Sequence, residues 1–353
     1  MGYKPPAHPE SYTVNWLILD NQPVDYIRRI AESFEAQMTR RMPGRVSFNV
    51  LTHDQFEKEY GKPANLDTAL DFLYKNTIQI VVYPTAVLGE KIREAIHRKM
   101  NKIPEKITPW FTGETDYTAL DMPYAFRSEQ HANSFFQSGP GEKVLYYNNF
   151  LNIKSMAIVP WGSRRVIAGD KPFTTPEDFE GAKIKTQYGT ALEQDIFESL
   201  GAEVSGDADA YETDLVNLDS SKKYVTELNH SINGYVVLAS HPFWRHSVKC
   251  ECDYRDHTPE EEDHCLRKQM KRACNEAARA TSIWNDSDTE NLRNDLKEKG
   301  VQFFSIDDID AFKEKTRGVY DKYMSKFTPT LFDNINETCD QEESVWCDKM
   351  TVT

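Results

Sequence analysis

Strand-like and helix-like runs take turns along the first 83 residues, and that alternation limits the fold more than any other feature of the chain. Val14 to Leu19 has the character of a buried strand, and Val24 to Met38 places Tyr26, Ile27, Ile30 and Phe34 at a helical period. Arg45 to Leu51 reads as a second strand, Leu66 to Tyr74 as a second helix and Ile78 to Tyr83 as a third strand. This order predicts an open α/β sheet, whose ligands meet the loops at the carboxyl ends of its strands. Asp20, Asn21 and Gln22 follow the first strand, and Tyr83, Pro84 and Thr85 follow the third, so Asn21, Tyr83 and Thr85 are candidate pocket residues. Neither GxGxxG nor GxxxxGKS/T stands at these turns, which argues against nucleotide binding by a phosphate-cradling loop.

The theme returns in the centre. Ser155 to Pro160 reads as a strand, Thr175-Pro176-Glu177-Asp178 as a helix start, Lys183 to Thr186 as a strand and Thr190 to Leu200 as a helix, opening a second α/β lobe. Ser231 to Ala239 is a further strand. Thr258-Pro259-Glu260-Glu261 is a capping box with proline at the first helical position, predicting a helix through Ala280. A polar helix from about 281 to Lys299 follows, and Gly300 ends it. Val301 to Ser305 reads as a short strand, Ile309 to Phe327 as a closing amphipathic helix, and the tail after 328 shows no period. With 353 residues, 39% of them hydrophobic, the chain can fill the cores of two lobes.

Charge and motifs remove several classes of function. The formal charge of −14 opposes attraction to nucleic acid or to anionic lipid. The most apolar stretch, Ile78 to Leu88, is broken by Gln79 and Pro84 and falls short of the roughly 20 residues that span a bilayer. No GxSxG or HExxH occurs, the nine histidines are scattered, and His230 reads as structural, so no catalytic residue, metal or cofactor is expected.

All six cysteines, at 250, 252, 265, 274, 339 and 347, lie in the last third. Their even number and clustering favour disulfides. The opening MGYKPP has no apolar signal core, which fits either a cytosolic chain or the mature form of an exported one, and the cysteines favour export. Cys265 and Cys274 share a predicted helix nine residues apart, on opposite faces and about 13 Å apart along its axis, so each needs a partner elsewhere. Cys250 and Cys252 could supply two, and Cys339 and Cys347 could close a small loop. A zinc site from Cys250, Cys252, His257, His264 and Cys265 matches no standard ligand spacing.

The central segments carry a resemblance. DMPYAFRSEQHA at 121–132 resembles the LPFLFRDxEHA segment of the solute-binding proteins of TRAP transporters, the tripartite ATP-independent periplasmic uptake systems. Residues 162–185, with Gly162-Ser163-Arg164, Pro172-Phe173, Thr175-Pro176-Glu177-Asp178-Phe179 and Gly181-Ala182-Lys183-Ile184-Lys185, follow that family's GxRxxTxxxxPIxxPxDLxGxKIR run without a gap. Leu200-Gly201-Ala202, Asn229-His230 and Phe243-Trp244 resemble its LGA, NH and FW, and the likeness covers roughly residues 12 to 327.

The resemblance implies a two-lobe periplasmic-binding-protein-like (type II) α/β fold with a long inter-lobe helix. The first lobe would comprise 1–160 plus 231–282, the second 161–230 plus 283–327, with 328–353 a C-terminal tail. It implies an extracytoplasmic monomer that is not an enzyme, closes on a small organic acid and hands it to membrane permease subunits. Arg164 matches the arginine of GxR, and its planar guanidinium suits a carboxylate, giving two charge-assisted bonds of roughly 1.5–3 kcal/mol each. Trp161, beside it, and Tyr188, at the strand end after Lys185, are further ligand candidates.

Three positions depart from the family. The last letter of KIR falls on Lys185, a point donor in place of a fork. After Tyr211, which resembles the tyrosine of EVYxAL and is a ligand candidate, the stretch QxGxVDGQENP with its pocket asparagine is missing. Gln79 stands where GTxD has aspartate. These departures and the cysteine-rich insertion fit an alternative role as a periplasmic sensor or interaction protein that has lost uptake.

Overall fold

The computed structural model describes residues 11–20, 22–100, 115–145, 152–160, 166–218, 221–232, 234–247 and 265–339. The chain divides into two compact units: Met1–Val82 with Asn152–Ala157 and Val237–Ala280, and Tyr83–Leu151 with Ile158–Val236 and Thr281–Thr353.

The expected α/β order is present. Strands β1 (Tyr12–Leu17), β2 (Val46–Leu51), β3 (Ile80–Pro84), β4 (Ile153–Pro160) and β10 (Gly234–Ser240) form a five-stranded sheet in the order β2-β1-β3-β10-β4. β1 runs parallel to both neighbours, with Tyr12 opposite Val46 and Trp16 opposite Ile80. Helix α1 (Val24–Arg41) buries Ile27, Ile30, Phe34 and Met38, and Phe34 packs edge-on to Trp16 with ring centroids 6.2 Å apart. Helix α2 (His53–Tyr60) begins at a Thr52–Gln55 capping box and stops at Gly61, whose φ of 63° suits glycine. Helix α3 (Leu66–Tyr74) starts on Asn65. Gln79 has a structural role at the entry to β3. Its carbonyl oxygen accepts from Asn15 N (2.9 Å), and its amide donates to Asn76 O (2.7 Å).

The second unit holds helices α4 (Thr85–Met100), α5 (Asp116–Ala119), α6 (Glu129–Phe136) and α7 (Gly139–Val144). It also holds a six-stranded sheet of β5 (Val166–Gly169), β6 (Lys183–Lys185), β7 (Glu203–Val204), β8 (Ala210–Thr213), β9 (Tyr224–Glu227) and β11 (Gln302–Ser305). Its order is β11-β9-β5-β8-β6-β7, with β5 antiparallel to β8 and β9. One apolar cluster contains Ile184, Phe179, Phe197 and Ala210. Another contains Val166, Ala168, Val225 and Leu296. The Thr175 capping box opens only a four-residue 3-10 helix, Pro176–Phe179, while helix α8 (Ala191–Ser199) follows Thr190 as expected.

Two readings are corrected. The helices expected up to Ala280 and from 281 are one helix, α9 (Leu266–Glu298), because no glycine or proline interrupts its 33 residues. The tail, which shows no period, still forms helix α11 (Leu331–Glu337) after α10 (Ile309–Tyr323), anchored by buried Leu331 and Ile335. The opening expected at Thr258 lies outside the described residues.

The cysteines also need a correction. Cys265 and Cys339 each take part in a disulfide. Cys274 is a free, buried thiol rather than a disulfide partner, because it points with Met270, Ala273 and Ala277 into the apolar face of α9. Cys250, Cys252, Cys347, His257 and His264 lie outside the described residues. Among the described residues no cluster of potential metal ligands occurs.

Candidate functional site

Strand β6 is short and sits between β8 and β7, with Lys185 beside Tyr211 in parallel register. Ile184 points into the apolar cluster, and Lys185, next along the strand, is exposed. The chain then turns through Thr186, Gln187, Tyr188 and Gly189, whose φ of 70° is a glycine conformation, into the N-cap Thr190 of α8. This loop is the centre of a buried polar network.

Three carboxylates hold the loop by accepting its N–H groups. Glu212 Oε2 accepts from Gln187 N (3.1 Å), and Glu212 Oε1 lies 2.8 Å from His230 Nε2. Glu193 Oε2 accepts from Tyr188 N (3.2 Å) and Thr190 N (2.9 Å). Asp214 Oδ2 accepts from the Gln187 side-chain amide (2.9 Å) and from Asn217 Nδ2 (3.0 Å), and its Oδ1 accepts from Asn217 N (2.9 Å). Each acid is satisfied in large part by fixed amide dipoles, which is how a carboxylate can be buried beside a strand end.

Above this floor the hydroxyls of Tyr188 and Tyr235 share a 2.6 Å hydrogen bond, and Gln187 Nε2 donates to Tyr188 at 3.2 Å. Tyr235 follows Gly234, whose carbonyl accepts from Thr85 Oγ1 at 2.9 Å. The Thr85 hydroxyl also lies 3.1 Å from Asp121 Oδ2, and Ser231 Oγ donates to Asp121 Oδ1 at 3.3 Å. Close packing supports this junction, since a Cβ on Gly234 would meet Thr85 Oγ1 at 3.1 Å. Beside the loop, at the start of α8, lies a crevice lined by Ala86, Glu90, Arg93, Thr118, Thr190 and Leu192.

The structure thus brings two of the expected residues, Thr85 and Tyr188, into one network, and sets Lys185 next to Tyr211. Tyr211 is half-buried and packs on the apolar cluster of Val166, Ala168 and Leu296. Tyr83 is fully buried in β3. Asn21, Trp161 and Arg164 lie outside the described residues. Sequence reasoning missed Gln187, Glu212, Asp214 and Tyr235. Glu193 had a signal, the Thr-x-x-Glu spacing from Thr190. His230, read as structural, is the buried partner of Glu212.

Residues 73–206 match the family described as bacterial extracellular solute-binding protein, family 7. A solute-binding protein of Chromohalobacter salexigens is 22% identical over 276 residues, covering 69% of this chain and 74% of its own. A C4-dicarboxylate-binding protein of Bacillus subtilis is 23% identical over 289 residues, covering 74% and 77%. In fold, the chain is similar to a TRAP periplasmic solute-binding protein of Xanthobacter autotrophicus Py2 with bound β-D-galacturonate. That likeness has a TM-score of 0.69 at 17% identity and covers 92% of this chain and 98% of the other. The resemblance read from the sequence therefore holds as a likeness: residues 73–206 are similar to the bacterial extracellular solute-binding proteins of family 7, and the α/β fold is similar to that of TRAP periplasmic solute-binding proteins.

Proposed function

We propose that the chain is an extracytoplasmic, monomeric binding protein that captures a small carboxylate and delivers it to the permease subunits of a TRAP transporter. One observation carries most of the weight. The run from Gly162 to Lys185, with both expected anchors Arg164 and Lys185, falls wholly within the residues that match the family. A C4-dicarboxylate and a galacturonate, the acids named for two of its relatives, share the carboxylate that such cations would hold. The disulfides at Cys265 and Cys339 support an oxidising compartment. Among the described residues no helix is long and apolar enough to cross a membrane.

In this reading the lobes are 1–160 with 231–282 and 161–230 with 283–327. The acid lies between them, near Arg164, Lys185 and Tyr188. A ligand touching both lobes favours the closed form by its differential affinity for it. The test is a thermal-shift screen with succinate, malate and D-galacturonate. An acid at 100 times its dissociation constant adds about 2.7 kcal/mol of stability. Arg164→Ala should abolish that shift, and an unchanged shift in this variant would remove Arg164 from the site.

A further inference from the structure

Gln187 is fixed by carboxylates at its backbone and at its tip. Its backbone N–H donates to Glu212 Oε2 at 3.1 Å, and its side-chain Nε2 donates to Asp214 Oδ2 at 2.9 Å and to the Tyr188 hydroxyl at 3.2 Å. All four residues lie within the second compact unit. The amide can stand only one way round. An ionised carboxylate accepts and never donates, so turning the amide would set Oε1 against Asp214 and leave two acceptors face to face. The Tyr188 hydroxyl tolerates either orientation, and Asp214 therefore decides it.

Gln187 Oε1 is thereby committed as an acceptor. It is buried, and no donor among the described residues reaches it. A buried acceptor without a partner forfeits the hydrogen bonds that water gave it, a cost that folded chains rarely carry without a use for the atom. Its position supplies one. The alternation of β6 runs on past the end of the strand: Ile184 is buried, Lys185 exposed, Thr186 buried and Gln187 half-buried. Lys185 and Gln187 thus share a side of the chain, about 7 Å apart along it. A small acid can span that distance.

We propose that Gln187 Oε1 accepts a hydrogen bond from a hydroxyl group of the solute, which makes the chain selective for hydroxy acids over plain acids of the same carbon skeleton. The proposal rests on the carboxylate-binding reading given above. A hydroxyl gives the oxygen its missing partner, and an acid without one leaves that oxygen buried and unpaired, which is how a site comes to reject the poorer analogue. An ammonium would also donate, but it would exchange its hydration for a neutral acceptor, at a larger desolvation cost.

Calorimetry with malate, succinate and 2-methylsuccinate is the test, because these acids differ only in carrying a hydroxyl, a hydrogen or a methyl group at one carbon. Malate should bind at least about tenfold more tightly than either of the others, and more tightly than aspartate. Gln187→Leu should bring the malate-to-succinate ratio to within about twofold, and this ratio is blind to damage that weakens both acids alike. Asp214→Asn keeps Gln187 but lets its amide turn, and should lower the ratio as well. Equal binding of malate and succinate by the wild type, or a ratio that survives Gln187→Leu, overturns the role of Gln187 and leaves the binding reading standing. If neither acid binds, the inference falls, and the binding reading falls with it only if D-galacturonate also leaves the melting temperature unchanged.

Discussion

His230 Nε2 lies 2.8 Å from Glu212 Oε1, and both side chains are fully buried. The other carboxylate oxygen fixes the backbone of Gln187, so the histidine steadies the loop that carries Tyr188 without touching it. His230→Leu leaves the buried Glu212 carboxylate with one partner fewer, which should cost about 2–3 kcal/mol. Urea unfolding measures this loss, and a variant within 0.5 kcal/mol of wild type would show that the pair does not support the loop.

Burial pushes the Cys274 thiol up to about 12 from 9.0. The folded protein therefore keeps the proton that the unfolded chain releases first. The stability from this group is complete below pH 9 and is lost as pH rises toward 12. Cys274→Ala should flatten the alkaline decline in melting temperature. An unaltered decline would assign it elsewhere, for instance to Tyr320, which burial also raises.

Six cysteines, of which Cys274 is free, cannot all pair within the chain. The oxidised monomer should therefore carry an even number of thiols, at least two, one of which reacts only after unfolding. Thiol titration in native buffer and then in guanidinium counts them. A single thiol in guanidinium would mean a disulfide between chains.

Glycines in one short helix should behave oppositely. A Cβ on Gly141 would collide with the backbone carbonyl of Phe135, whereas one on Gly139 meets only open space. Gly141→Ala should destabilise by about 1–3 kcal/mol, and Gly139→Ala should stay within about 0.5 kcal/mol of wild type. Equal effects in thermal unfolding would contradict the packing of α7.

On the proposed function, Lys185→Arg restores a fork to a strand end that now offers a point charge. Affinity for succinate should rise about tenfold, or 1.4 kcal/mol, by calorimetry. A loss of affinity would mean that the guanidinium has no carboxylate to meet there.

The sequence was most legible where one face of an element repeats. Helix α1 shows its buried Ile27, Ile30 and Phe34 at a clear helical spacing, and α3, α8 and α10 fall where expected. Strands β5, β8 and β9 were not read, and β8 turns Glu212 inward, against the rule that strands bury apolar side chains. The polar second half of α9 resembled a separate helix only because its hydrophobic stripe thins after Ala280. In the site, Tyr188 was legible from its place after a strand. Glu212 and Asp214 were not, since an acid satisfied by a loop 25 or 27 residues away leaves no local pattern.

Arg127 and His131 belong to the segment by which the chain is recognised, yet their side chains close on the opposite end of the sequence. Arg127 N donates to His131 Nδ1 at 3.1 Å, which leaves the ring Nε2 to donate to Ile335 O at 2.8 Å. The guanidinium reaches Asn336 O and Thr338 O at 3.2 and 3.0 Å. During synthesis these donors wait for carbonyls that emerge more than 200 residues later. That segment is thus an unfinished knot on the ribosome, tied only when residues 335–338 arrive.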